Sequence, residues 1–321
     1  MKVFVLGGSG FVGGHLVRRL CAAGHHVTVG TRYAPSARHL RVVPRVSIRQ
    51  CNPYDLDSMT PILEGHQAVI NLVGILNERG FGGKGFQRAH VELVEKLIIS
   101  CEAARVGRLI QMSAINAGRG DSHYLRSRGA AERLVAEAGA DGLLHTVIFR
   151  PSVIFGPDDS FLNRFAVLLK FSPLLPLARP RARLAPVYVG DVVEAIERVL
   201  SLEAESGRIY ELAGAEVWSL KELVLWLRDQ LGQKCVVVGL PDALGWLQAL
   251  IFNLVPGKPF STDNFKSLKL DSVCTDNGLI ELGIEPWGVS QLAPTWLGSG
   301  GRQNRYQSFR RRARRIRRES D

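Results

Sequence analysis

Near its start the chain reads Lys2-Val-Phe-Val-Leu-Gly-Gly-Ser-Gly-Phe-Val-Gly-Gly14, and this stretch decides the fold. A short apolar strand breaks into glycines at Gly7, Gly10 and Gly13, and a helical pattern begins at once. Gly7 permits a sharp bend, and Gly10 lets backbone N–H groups approach an oxygen-rich ligand. Gly13 removes a side chain where helix and strand cross. The positive end of the helix then faces a pyrophosphate, so the turn reads as a dinucleotide cradle that also includes Ser9, Phe11 and Val12.

Outward from the cradle, strand and helix alternate. Strand patterns fall at 2–6, 26–31, 46–50, 68–73, 109–113 and 145–149, with helical patterns at 13–23, 57–64, 86–104 and 124–138. Strands that are apolar throughout, each followed by a helix, predict a parallel sheet covered on both faces. The expected fold class is therefore α/β, a doubly wound parallel sheet of Rossmann type with ligands at the carboxyl ends of its strands. The expected organisation is a dinucleotide-binding domain over 1–150, a smaller C-terminal α/β substrate or lid region over 151–300, and a basic tail over 301–321. Residues 151–186 are rich in proline, leucine and arginine without a clean period. A helix over 191–202, a strand over 208–213 and a helix over 219–231 follow. Residues 240–256 read as a strongly apolar helix bounded by Pro241 and Pro256.

A chain of 321 residues can bury a full core. Its apolar fraction of 46% and charged fraction of 22% are those of a globular protein. No segment has the ~20 uninterrupted apolar residues that span a bilayer. The N-terminal run is not expected to be a signal peptide, because it breaks at glycines and flows into the fold. Cys21, Cys51, Cys101, Cys235 and Cys274 are scattered without a CxxC pair. They read as small hydrophobes in a reducing compartment. The eight histidines lack ligand spacing, so no metal site is expected. Of the net charge of +11, residues 302–321 carry +7 through nine arginines against two acids. The body, at +4, is only mildly basic.

The second strand ends Val29-Gly-Thr-Arg32, where an NAD-preferring fold would place an acid for the ribose 2′-hydroxyl. Arg32 suits a 2′-phosphate instead, by a bidentate, charge-assisted pair. The expected cofactor is NADP(H), with NAD(H) as the alternative; a solvated arginine is the plain reading of Arg32. Asn52, after the third strand, suits either an adenine contact or an ordinary turn. Leu72, Val73 and Gly74 would place a small-residue turn against the cofactor.

Taken together, these residues resemble the extended short-chain dehydrogenase/reductase superfamily, in which the GxxGxxG spacing is usual. The chain is most similar to the atypical branch that holds the dehydrogenase-like accessory subunit of respiratory complex I and its bacterial relatives. The resemblance rests on Phe149-Arg-Pro-Ser-Val-Ile-Phe-Gly-Pro-Asp-Asp159, Pro186-Val-Tyr-Val-Gly-Asp-Val192, Pro259-Phe-Ser-Thr-Asp-Asn-Phe265, Thr275-Asp-Asn277 and Leu282-Gly-Ile-Glu-Pro286. It covers residues 1 to about 300, and within it Pro151 and Val153 join the expected cofactor contacts.

In active members of the superfamily, a tyrosine exchanges a proton with the substrate oxygen. A lysine four residues on lowers its pKa and holds the nicotinamide ribose, and a serine or threonine orients the carbonyl. The resemblance carries these roles to Ser113, Tyr124 and Arg128, with Tyr124 and Arg128 also holding the cofactor. Spacing of i and i+4 puts Tyr124 and Arg128 on one helical face. The arginine is a departure: it keeps the charge, but its planar head cannot copy the single-point contact of an ammonium. Weak or absent turnover is one expectation, and Arg128 as a surface or ribose contact without turnover is its structural form. Arg126 lies on another helix face, and Asp191 reads as a helix N-cap.

On the substrate side, Phe165, Leu168, Leu169, Phe171, Leu174, Leu175 and the 246–254 helix suit a lipophilic substrate such as a quinone, a membrane face, or an ordinary lid and core. The tail 302–321 would attract anionic lipid or, as the lesser expectation, nucleic acid. Three readings follow. The first is an NADP(H)-binding dehydrogenase-like protein tied to assembly or stability of a respiratory complex, or to quinone metabolism. The second is an active reductase or epimerase on a lipophilic or nucleotide-linked substrate. The third is a nucleic-acid-binding scaffold. The expected location is the cytoplasm, with peripheral attachment to the inner face of a membrane.

Overall fold

The computed structural model describes residues 1–142, 144–201, 206–255 and 258–297. The basic tail therefore lies outside the described residues. Six strands, β1 (Lys2–Leu6), β2 (His26–Thr31), β3 (Val46–Gln50), β4 (Ala68–Asn71), β5 (Arg108–Met112) and β6 (His145–Pro151), are joined by a seventh at Arg208–Leu212. From one edge to the other the order is Arg208–Leu212, β6, β5, β4, β1, β2, β3, with every neighbouring pair parallel. The doubly wound sheet expected from the alternation is thus present. Its order reverses direction between β1 and β4, the switch point at which such folds bind ligands.

The reason the strands must be apolar throughout is visible in β1. Val3 and Val5 point into one apolar layer, whereas Phe4 and Leu6 point into the other, and all four are buried. Alternation of side chains across a sheet wrapped on both sides buries both faces, so the few polar residues there, such as Asn71 and Gln111, bond each other. The first layer is closed by α1 (Phe11–Ala22) and by the helix Val189–Ser201, which buries Val189, Val192, Val193, Ile196, Val199 and Leu200 along one stripe. The second is closed by the helices Leu56–Leu63, Leu93–Ala103 and His123–Ala140. Fully burying a side chain such as Phe4 contributes roughly 2–3 kcal/mol. Residues beyond Arg150 so supply both an edge strand and a covering helix to the N-terminal sheet. Arg150 reinforces the join: its guanidinium holds buried Glu132 with both Nε (2.9 Å) and Nη2 (2.6 Å), and reaches Glu211 at 3.4 Å.

Several expected boundaries move. β4 ends at Asn71, not 73, and β5 ends at Met112, leaving Ser113 just beyond it. The long helix expected over 86–104 is a composite: one turn at Lys84–Phe86, a π-helical stretch at Gln87–Glu92, then α-helix from Leu93. Asp191 is not an N-cap. It sits inside the first turn of Val189–Ser201, buried, where its Oδ2 accepts the Trp287 N–H at 2.9 Å, and burial raises its carboxyl to about 6. The apolar helix is shorter than expected, Asp242–Phe252. The stretch 151–186 contains a helix at Phe161–Phe171 and short strands at Ile154–Phe155, Leu174–Leu177 and Arg183–Leu184. Its two-residue strands are too short to show a period. Cys21, Cys51, Cys101 and Cys235 are buried thiols, and Cys274 is half-buried.

Candidate dinucleotide site

The cradle is built by close approach of backbone. Gly7 adopts φ +83°, and a Cβ there would press on the Leu72 carbonyl carbon at 3.1 Å and the Val73 nitrogen at 3.2 Å. A Cβ at Gly13 would overlap the Gly7 carbonyl oxygen and the Gly8 backbone. Helix α1 begins at Phe11, earlier than the sequence suggested, with Gly10 as an N-cap that offers no side-chain acceptor. Its first N–H groups therefore lack a capping side chain, at the helix end that favours an anion. Ser9, Phe11 and Val12 are half-buried around this opening.

At the carboxyl ends of β4 and β5 lies a polar cluster. The buried Asn71 donates from Nδ2 to Gln111 Oε1 (2.9 Å) and accepts the Val73 N–H at 3.1 Å. Gln111 in turn donates to the Met112 carbonyl at 2.8 Å. That carbonyl also accepts from Arg128 Nη1 at 2.9 Å, and the Val73 carbonyl does so at 3.4 Å. Arg128 is 6% exposed and crosses behind Gly74, where a Cβ would collide with its Nη2. The i, i+4 expectation holds geometrically: the Arg128 guanidinium lies 5.5 Å from the centre of the Tyr124 ring. Arg126, by contrast, is exposed and bonds the Asp121 carbonyl. It lines a separate furrow of 560 Å³ with Lys84, Arg88 and Arg133.

Tyr124 opens the helix His123–Ala140, whose N-cap is Ser122. Its ring packs edge-on against Phe86 and His90, with centroids at 6.0 and 5.6 Å. His90 was not foreseen. It comes from the π-helical stretch, accepts the Ile75 N–H through Nε2 (3.1 Å) and meets Ser127 Oγ through Nδ1 (2.8 Å). Since Ser127 Oγ donates to the Tyr124 carbonyl, Nδ1 must carry the proton and the ring is neutral. Burial first, and the Arg128 cation second, push this imidazole down to about 2. Asp263 was also missed in this role: its carboxylate accepts the N–H groups of His123 (2.7 Å) and Tyr124 (3.1 Å). A lone histidine or aspartate in a polar stretch carries no signal of such a partner.

Ser113 is 4% exposed, and its Oγ has no hydrogen-bond partner among the described residues. Arg128 Nε is likewise buried and unpartnered. Buried polar atoms left open in this way fit a ligand that completes them. Together with the glycine cradle they fit a dinucleotide: Gly7–Gly13 for the pyrophosphate, and Ser113, Tyr124 and Arg128 at the other end. Pro151 ends β6, and its carbonyl accepts the Ile115 N–H just beyond Ser113. Val153 is half-buried beside it in sequence. Arg32 and Asn52 stand apart at the ends of β2 and β3, both exposed. Asn52 Oδ1 accepts the Tyr54 N–H at 3.3 Å, the turn geometry weighed from the sequence.

A doubly wound sheet with this cradle and this tyrosine helix defines a nucleotide-binding dehydrogenase-like protein. The chain belongs to the NAD dependent epimerase/dehydratase family, whose model matches residues 3–213. Membership assigns a nicotinamide dinucleotide as the cofactor class. Within that frame, the chain is 32% identical to the NADH dehydrogenase (ubiquinone) 1 alpha subcomplex subunit 9, mitochondrial, of Arabidopsis thaliana, over 86% of this chain and 71% of that protein. It is 29% identical to the mouse protein of the same name, over 88% and 76%. It is 25% identical to the 40 kDa subunit of NADH-ubiquinone oxidoreductase from Neurospora crassa, over 92% and 78%. Among solved structures, a Streptomyces venezuelae dTDP-glucose 4,6-dehydratase (DesIV double mutant) with NAD and DAU bound shares the fold. Its TM-score is 0.71 at 21% identity, covering 92% of this chain and 96% of that one. A Staphylococcus aureus nucleoside-diphosphate-sugar epimerase reaches 0.73 at 17%, covering 92% and 100%.

Proposed function

We propose that this chain binds NADP(H) as a dehydrogenase-like accessory protein, peripheral to a membrane, that assembles or stabilises a respiratory complex. Its cofactor is a structural or sensing ligand. The observation that carries this reading is Arg128. The side chain in the place of the catalytic lysine is buried, and its Nη1 donates to the Met112 and Val73 carbonyls. A guanidinium committed to backbone carbonyls cements the floor of the cleft, which serves binding without serving proton transfer. The relatives named as NADH dehydrogenase subunits support the respiratory context. The outward apolar side chains of the helix Asp242–Phe252 support a membrane or partner face.

A second reading, an active reductase or epimerase, is favoured by Ser113 and Tyr124. The Ser113 hydroxyl is buried and unpartnered, and Tyr124 is half-buried beside the Arg128 guanidinium. A bound nicotinamide supplies a hydride acceptor or donor. Tyr124 would then move the proton of the substrate oxygen, and Ser113 would orient it.

Mass spectrometry of the copurifying nucleotide, followed by turnover assays on a panel of quinones, aldehydes and sugar nucleotides, separates the readings. Bound NADPH without turnover, even in Arg128→Lys, fits the accessory protein. Turnover abolished by Tyr124→Phe fits the enzyme. NAD, or no nucleotide, removes the NADP(H) assignment.

A further inference from the structure

The helix that presents Tyr124 is held at its start by a residue 139 positions away in sequence. Asp263, 9% exposed, gives its Oδ1 to the His123 N–H and its Oδ2 to the Tyr124 N–H. These are charge-assisted bonds at the positive end of an 18-residue helix, where a carboxylate is favoured. Ser122 already caps the same helix through the Leu125 N–H, so the helix would exist without Asp263. What the carboxylate adds is a fixed position for the first turn, and so for Tyr124.

The residues on either side of Asp263 hold a second part of the site. Asn264 Nδ2 donates to the Leu76 carbonyl at 3.1 Å, and Asn77 Nδ2 donates to the Lys258 carbonyl at 3.1 Å. Lys258 Nζ donates to the Gly80 carbonyl at 2.8 Å. All three bonds tie the strap 258–267 to the loop that follows β4, the loop whose beginning, Val73–Gly74, packs against Arg128. The far end of that loop meets the tyrosine helix directly, since a Cβ at Gly83 would press on the His123 ring. One short segment from the C-terminal half thus registers the post-β4 loop and the tyrosine helix against each other.

We propose that Asp263 is a positioning residue of the dinucleotide site, which sets Tyr124 and the 74–83 loop around the nicotinamide end of the cofactor. The proposal rests on the reading of the cleft as a dinucleotide site. The adenosine half binds at the β1–β2 side and does not reach Tyr124, so the two halves of the ligand respond differently.

The test compares full-length wild type with Asp263→Ala, and with Asp263→Asn, whose amide oxygen still accepts one N–H. Without nucleotide, amide hydrogen exchange at His123 and Tyr124 accelerates about tenfold or more in Asp263→Ala. Exchange across 74–83 also rises, β1 and α1 stay at wild-type rates, and Asp263→Asn is intermediate. In titrations, NADPH binds Asp263→Ala about tenfold more weakly, whereas 2′,5′-ADP binds both proteins alike. Wild-type exchange rates in Asp263→Ala overturn the proposal, as does an equal loss of NADPH and 2′,5′-ADP, the mark of general destabilisation. Should Asp263→Ala not fold, Asp263→Asn answers the same two measurements with smaller effects. If wild type binds neither ligand, the NADP(H) assignment falls, and if it binds NADH no better, so does the dinucleotide reading; the exchange rates still decide whether Asp263 fixes Tyr124.

Discussion

At the scale of single residues, the site is governed by where each charge finds its partner. Arg32 is exposed at the end of β2, so the contact to a 2′-phosphate proposed for it is separable from folding. Arg32→Ala is expected to weaken NADPH binding about tenfold or more while leaving NADH affinity unchanged, as read by calorimetric titration. His90 gives a pH signature. Its folded pKa, near 2, lies below the ordinary value of 6.5, so the unfolded chain binds the extra proton below that value. The stability it contributes is present above about pH 6.5 and is lost as the pH falls. Melting temperatures of wild type and His90→Gln, followed from pH 7.5 to 5, should therefore converge on acidification. A constant gap would remove His90 from the acid response. Asp191 acts in the opposite sense, because its raised carboxyl favours the folded state as the pH falls through about 6.

At the scale of elements, the contact between β1 and α1 depends on one missing side chain. Gly13 lies inside α1, where any Cβ would meet the Gly7 carbonyl and the Gly8 backbone. Gly13→Val should displace the helix N-terminus, abolish nucleotide binding and cost roughly 1–3 kcal/mol of stability by overpacking. A denaturant melt alongside a nucleotide titration reads both effects. The π-helical stretch Gln87–Glu92 is the other element with a local task. It adds a residue to the turn and so brings His90 to Ile75 and Ser127, beneath the tyrosine ring. Periodicity at 3.6 residues cannot register such an insertion, which is why a single helix over 86–104 was expected there.

At the scale of the whole molecule, the C-terminal half both completes the sheet and presents an apolar outside. In the helix Asp242–Phe252 only Gly245 and Ala249 are buried, whereas Leu244, Trp246, Leu247, Leu250 and Ile251 are each at least 40% exposed. Gln248 ties this helix to the strand Leu174–Leu177 through the Pro176 carbonyl, next to exposed Leu174. Leu250→Asp with Ile251→Asp should change stability by only about 0.5 kcal/mol, since both side chains already face outward. The same pair should weaken cosedimentation with uncharged vesicles if this face meets a membrane; unchanged cosedimentation would remove the helix from that role. The chain's own text determined the fold class, because largely apolar strands alternating with helices and a glycine turn at Gly7–Gly13 are local requirements of a sheet wrapped on both faces. It also put Tyr124 and Arg128 on one helical face, since i, i+4 spacing is local geometry, and the guanidinium lies 5.5 Å from the ring centre. Only the tertiary structure decided that Arg128 is spent on the carbonyls of β5 and the post-β4 turn, that His90 is a buried neutral ring, and that Asp263 holds the tyrosine helix. Those three depend on groups 15 to 140 residues apart meeting in a desolvated interior, where a polar atom's partner is set by packing and not by its neighbours in sequence.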